Sequence, residues 1–238
     1  MKSAIDCWAI VPAAGIGSRM QATIPKQYLS LEGRPLIEHS LLRLLETRWI
    51  KGIVVAIAED DQHWPQLSLS KHPKIKTVTG GAERIDSVSN ALNAIQDQLL
   101  KNDFILVHDA ARPCLSHEDL ERLFDALVLT DSGVVLADKI SDTVKRDDGN
   151  SAVLKTVPRQ GLWRAFTPQI FPHQLLTKAL NQVKNDLTSN ITDEASAIEQ
   201  LGLSPALVQG RSDNIKITTT GDIHLASLIL RAQREQKR

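Results

Sequence analysis

Along the 238-residue chain, short runs of apolar, mostly β-branched residues alternate with longer stretches in which apolar positions recur every three or four residues. The dense runs are "CWAIVPA" (7–13), "KGIVVAIA" (51–58), "DFILVHDA" (103–110) and "DSGVVLAD" (131–138). Nearly continuous apolar character suits strands covered on both faces, the setting of a parallel sheet. Between them, the spacing of Ile85, Val88, Leu92, Ile95 and Leu99 predicts an amphipathic helix. Further helices are expected over 35–47, 117–129, 173–184, 192–201 and 221–235. Such alternation with short connections predicts an α/β fold, a Rossmann-like, doubly wound and mostly parallel sheet. Ligands of these sheets bind beyond the carboxyl ends of the strands. Three segments leave such ends: 11–30, 79–87 and 108–113.

Residues 139–160 break the rhythm. β-type residues flank Asp147–Asp148–Gly149–Asn150, a good hairpin turn, yet the segment is too polar for a sheet interior. It is expected to be a projecting β-hairpin arm, of a kind that often packs on a second subunit. With no repeats, low-complexity tracts or Gly/Ser linkers, residues 1–238 are expected to form a single domain.

Composition narrows the choice of function. The 28 basic residues balance 28 acidic ones, so no net field draws in nucleic acid or an anionic membrane. Any phosphate binding must come from local placement of cations. The two cysteines, Cys7 and Cys114, form no CxxC pair, which argues for a reducing compartment and against a disulfide framework or zinc site. Asp6 and Pro12 interrupt the first apolar run, so it does not read as a signal peptide. The longest uncharged run, 165–177, holds two prolines and is far short of a membrane span. A cytoplasmic location is expected.

The opening loop, "VPAAGIGSRMQATIPKQYLS" (11–30), carries the most chemistry. A dinucleotide fingerprint needs a third glycine where Met20 stands, and a phosphate loop needs a Gly-Lys pair that is absent. A third reading fits better. Gly15 and Gly17 allow a backbone cradle for an anion, and Arg19 and Lys26 flank it across a bend fixed by Pro25. Positioned cations stabilise the charge that gathers on non-bridging oxygens when phosphorus is attacked. Taken alone, the loop serves equally as a glycine-rich turn with two solvated cations.

The other strand ends add to it. "TGGAERIDS" offers Gly80, Gly81 and Ser87 to a nucleotide, or simply starts a helix. "VHDAARP" sets Asp109 at a strand end, where it can hold Mg²⁺ or cap the following turn. His108 reads as a satisfied core histidine. Thr192 starts a helix with acidic residues in its first turn. Lys216, in the strand-like run "GRSDNIKITT", suggests an anion partner or an edge-strand lysine. These readings leave open a nucleotidyltransferase, including one acting on sugar 1-phosphates, and a non-catalytic nucleotide-binding domain.

Taken together, "PAAGIGSRM", "PKQYL", "LVHDAARP", "TPQ", "ITDEAS" and "GRSDNIKIT" resemble, in order and over almost the whole chain, the 2-C-methyl-D-erythritol 4-phosphate cytidylyltransferase family. The resemblance implies transfer of a cytidylyl group from CTP to methylerythritol phosphate, with Mg²⁺ and release of pyrophosphate. It implies that Arg19 and Lys26 stabilise the pentacoordinate α-phosphate. Ala14, Gly15, Gly17, Gly81 and Ser87 would line the CTP site, with Asp109 and Ala110 nearby. Arg159 and Lys216 would position the phosphate of the second substrate, helped by Arg112, Thr143, Thr167 and Thr192. It also implies a homodimer with interlocking arms, in which a partner's arm supplies Thr143 and Arg159. Ser18 and Ala82 depart from the pattern, where another arginine and an acidic residue are common.

Overall fold

The computed structural model describes residues 5–15, 24–184 and 191–236. In chain order its elements are β1 (Cys7–Pro12), β2 (Ser30–Leu31), β3 (Arg34–Pro35), α1 (Leu36–Leu45), β4 (Ile50–Ile57), β5 (Ile75–Thr79), α2 (Arg84–Asn93) and β6 (Phe104–Val107). They continue with α3 (His117–Leu127), β7 (Val134–Lys139), β8 (Val144–Asp147), β9 (Val153–Val157), β10 (Trp163–Pro172), α4 (His173–Lys184), α5 (Glu194–Glu199), β11 (Ala206–Gln209) and α6 (Thr220–Glu235).

Seven strands form one sheet in the order β11-β7-β10-β6-β1-β4-β5. β1 lies parallel to β4 and β6, as does β4 to β5 and β7 to β11, while β10 runs antiparallel to both its neighbours. The expected α/β, mostly parallel sheet is therefore present. Period-2 alternation sends successive side chains to opposite faces. Ala9, Val11, Ile53 and Val55 pack with Ile37 and Leu41 of α1 and Leu120 and Phe124 of α3. Trp8, Ile10 and Val54 pack with Val88 of α2, Leu180 of α4 and Ile198 of α5. Both faces being covered explains why the strands read as unbroken apolar runs. α6 closes a smaller cluster through Ala226 and Leu230 against Leu31 and Ile217.

Three local expectations need correction. The helix expected through Leu99 ends at Asn93, and a 3₁₀ turn over Gln96–Gln98 follows. Ile95 and Leu99 still pack on the same cluster as Val88, so the apolar spacing outlasts the helix. Residues 210–219 form no strand; they run along the 108–113 segment, tied by the Ile217 amide donating to the Ala111 carbonyl at 2.8 Å. The cap of α5 is Asp193 rather than Thr192, its carboxylate accepting from the Ser196 amide at 3.0 Å.

The arm takes the expected form. β8 and β9 make their own two-stranded antiparallel sheet, half-buried at Val144 and Val157 and otherwise exposed. At its tip the Asp148 carboxylate accepts from the amides of Asn150 and Ala152, and Gly149 takes the left-handed backbone (φ +89°) that the turn requires. Among the described residues no helix is long and apolar enough to cross a membrane.

Candidate active site

Because β1, β4, β5 and β6 run the same way, their carboxyl ends open on one rim. The Ala13 amide donates to the Ala56 carbonyl at 2.7 Å, and that of Gly80 to Ile57 at 2.8 Å, so each loop leaves its strand against a neighbour. Between the loops lies a cavity of about 420 Å³, lined by Ala14, Gly15, Lys26, Gly81, Ser87, Asp109 and Ala110 among others. Gly17, Ser18 and Arg19 lie outside the described residues.

The walls of this cavity are fixed by packing. Lys26 opens a 3₁₀ turn whose next two residues are buried. The Gln27 amide donates to the Ala13 carbonyl at 2.6 Å, and the Tyr28 hydroxyl donates to Asp61 at 2.6 Å. The turn is thereby tied to the end of β1. Gly80 and Gly81 are demanded by close approach. A Cβ at Gly80 would lie 2.4 Å from that of Ala14, and one at Gly81 would lie 2.1 Å from that of Asp86. The buried Ser87 hydroxyl accepts from the Gly81 amide at 3.1 Å and donates to the Glu83 carbonyl at 3.3 Å, so it shapes this loop as well as lining the cavity. Gly15, by contrast, has open space where a Cβ would sit.

A second cavity of about 260 Å³ adjoins the first, lined by Arg112, Thr167 and Thr192 among others. Arg84, Asp109 and Lys216 line both cavities and form the wall between them. Asp109 is 7% exposed, and three cations converge on it: Arg84 Nε at 3.0 Å, Lys216 Nζ at 2.8 Å and Arg112 Nε at 3.6 Å. Burial opposes its charge, yet Arg84, Lys216 and Arg112 together hold its carboxyl well below the usual carboxylate range. Arg84 also donates to Glu194 at 2.6 Å. Burial pushes Glu194 up despite that cation.

His108 is fully buried and its hydrogen bonds define its state. Nε2 lies 3.0 Å from the Arg112 carbonyl, which can only accept, so Nε2 carries the proton. Nδ1 then accepts from the Thr167 hydroxyl at 3.2 Å, and that hydroxyl in turn accepts from the Asp109 amide at 2.9 Å. Burial drives the imidazole pKa down to about 4, keeping it neutral. It is the core histidine that the sequence suggests.

Thr143 and Arg159 are brought to neither cavity. Both are exposed at the root of the arm, where Arg159 donates to the Ser141 carbonyl. The expected metal role of Asp109 also meets a difficulty: both its oxygens already accept from cations. Among the described residues no three His, Cys, Asp or Glu side chains gather as a metal cluster. As it stands Asp109 anchors cations through both oxygens, so Mg²⁺ there would have to displace one of them.

Sequence reasoning passed over Arg84, Glu194 and Asn214. Glu194 is the first residue of α5, where an acidic charge reads as ordinary helix-end electrostatics, whereas Arg84, the first residue of α2, has the sign the helix dipole disfavours there, and that was its available signal. Asn214 is fully buried; its side-chain amide donates to the Thr167 carbonyl at 3.0 Å, and its main-chain carbonyl accepts from Arg112 at 2.8 Å. Its place inside "DNIK" was the available signal.

A family model for 2-C-methyl-D-erythritol 4-phosphate cytidylyltransferase matches residues 7–232. The enzyme of that name from Tolumonas auensis is 49% identical over 227 residues, covering 94% of this chain and 96% of that protein. The one from Vibrio vulnificus is 45% identical over 229 residues, 96% of each. The crystal structure of the Francisella tularensis enzyme superposes with a TM-score of 0.83 at 36% identity, covering 94% of this chain and 99% of that one. That of the Thermus thermophilus enzyme gives 0.77 at 27% identity, covering 93% and 98%.

Proposed function

Because this chain belongs to the 2-C-methyl-D-erythritol 4-phosphate cytidylyltransferase family, its reaction is the transfer of CMP from CTP to 2-C-methyl-D-erythritol 4-phosphate, giving 4-diphosphocytidyl-2-C-methyl-D-erythritol and pyrophosphate, and we propose that this chemistry runs across the wall shared by the two cavities. The observation that carries the proposal is the Lys216–Asp109–Arg84 wall, one face toward each cavity. CTP occupies the larger cavity, with its triphosphate toward Lys26 and the loop at 13–15. The phosphate monoester occupies the smaller one beside Lys216, Arg112 and Thr192. A phosphate oxygen of the acceptor attacks the α-phosphorus, the bond to the β-phosphate oxygen breaks, and pyrophosphate leaves.

The acceptor phosphate is already ionised at neutral pH, so no general base is needed. The chain's contribution is positioning and charge stabilisation. Lys26 faces the negative charge gathering on the α-phosphate, and the family resemblance gives Arg19 the same role. Lys216 and Arg159 hold the incoming phosphate. Three cations (Arg84, Arg112, Lys216) line the smaller cavity beside the carboxylates of Asp109 and Asp193, and Glu194 pairs with Arg84. The divalent cation enters as part of the substrate, the Mg²⁺ complex of CTP, since Asp109 is committed to cations.

The same reading makes residues 1–238 one domain whose arms interlock in a homodimer, each arm giving Thr143 and Arg159 to the neighbour's site. Neither residue lines either cavity of its own chain, which supports this. A reducing cytoplasm suits two buried, unpaired cysteines. The decisive assay incubates the protein with CTP, Mg²⁺ and candidate acceptors and measures pyrophosphate. Release with 2-C-methyl-D-erythritol 4-phosphate but not glucose 1-phosphate is the expected result. Release with glucose 1-phosphate would favour the sugar-phosphate class, and release with neither would favour a binding module.

A further inference from the structure

Arg84 is the first residue of α2, directly after the loop that lines the nucleotide cavity. Its guanidinium reaches two carboxylates on separate elements. Nε donates to Asp109 after β6 at 3.0 Å, and Nη1 donates to Glu194 on α5 at 2.6 Å. Asp109 passes its other oxygen to Lys216 at 2.8 Å. Glu194 is 1% exposed and follows Thr192 and Asp193, which line the second cavity. One planar fork therefore ties four segments together at the boundary between the substrates. Lysine offers a point charge and cannot present two fixed edges to two acceptors.

We propose that Arg84 is a positioning residue for the smaller cavity, setting the ammonium of Lys216 through Asp109 and the Thr192 edge through Glu194. The inference rests on the reaction given above and assigns Arg84 no contact with the reacting atoms. A buried ion network could also be mere fold cement, and such networks often add little stability. What separates the roles is the location of Arg84: its side chain is 28% exposed, on the cavity wall.

The test is a double-mutant cycle on the full-length protein with Arg84→Met, Lys216→Met and the pair. Arg84→Met is expected to raise KM for methylerythritol phosphate ~10-fold or more and to lower kcat, with KM for CTP changed by under about threefold. The combined loss is expected to fall short of the product of the single losses by about tenfold, because one residue acts through the other. Additive losses, or a fall in kcat with every KM unchanged, would overturn the proposal. If Arg84→Met does not fold, Arg84→Lys carries the same cycle and readouts. Wild-type protein is the control: failure to release pyrophosphate removes the reaction itself, whereas active wild type with additive variants removes only the role of Arg84.

Discussion

The side-chain amide of Asn214 donates to the main-chain carbonyl of Thr167 at 3.0 Å, with both residues buried. This bond pins the segment carrying Lys216 to β10, where the ladder to β7 is interrupted between Ala165 and Gln169. Arg112 holds the same segment by donating to the Asn214 carbonyl. Asn214→Ala leaves the Thr167 carbonyl buried without that donor, at a cost of ~1–3 kcal/mol. Urea unfolding should show that loss. Steady-state kinetics should show a raised KM for methylerythritol phosphate with KM for CTP little altered, because Lys216 loses its anchor and the loop around Lys26 does not. Equal rises in both KM values would contradict this division.

Lys26 offers a test of charge stabilisation. Its turn is held by Gln27, by Tyr28 and by the Tyr28 amide donating to the Pro25 carbonyl, none of which needs the ammonium. Lys26→Ala should therefore keep its circular dichroism spectrum. Single-turnover rates should fall ~100–1,000-fold, the scale of removing one preorganised donor from a developing oxyanion. A variant turning over at close to the wild-type rate would remove Lys26 from the chemistry.

The hydrogen-bond chain through His108 predicts an acid limit to stability. Its native pKa is depressed to about 4, against about 6.5 in an unfolded chain. Between those values the unfolded state binds more protons, so its contribution is complete above about pH 6.5 and is lost as pH falls toward 4. For a fully buried imidazole the loss amounts to about 3 kcal/mol. Denaturant midpoints across that range should drop for the wild type and drop less for His108→Gln, which keeps a polar side chain and does not titrate. Parallel curves for the two proteins would place the acid sensitivity elsewhere.

How far the sequence reveals all this depends on what kind of order each part needs. β1, β4, β6 and β7 are buried on both faces, and their β-branched runs announce them. β5 and β11 are short and lie at the sheet's edges; β5 is exposed at Lys76, Thr77 and Thr79, so no dense apolar run marks it. β10 contains Pro168, a residue that argues against a sheet interior. It is tolerated where the β7 ladder breaks. The site divides in the same way. Lys26, Asp109 and Lys216 stand in compact motifs whose residue types suit phosphate chemistry. Arg84 and Glu194 are single charges at helix starts, and only the sheet order brings those two starts together.

The arm gives the last prediction. Arg159 and Thr143 lie outside both cavities of their own chain, and Val153 and Leu154 on β9 are 65% and 61% exposed, apolar surface that an isolated hairpin has little reason to carry. If each arm completes a neighbour's site, Arg159→Ala and Lys216→Ala damage sites contributed by different chains. Mixing the two inactive proteins under conditions that exchange subunits then yields mixed dimers with one doubly damaged site and one intact site. Random pairing makes about half the dimers mixed, so activity should recover to about one quarter of wild type. Replacing Val153 and Leu154 by serine should weaken pairing in analytical ultracentrifugation and lower activity in proportion to the dimer lost. If both residues act within one chain, mixing restores nothing, and activity per folded chain does not follow the dimer fraction.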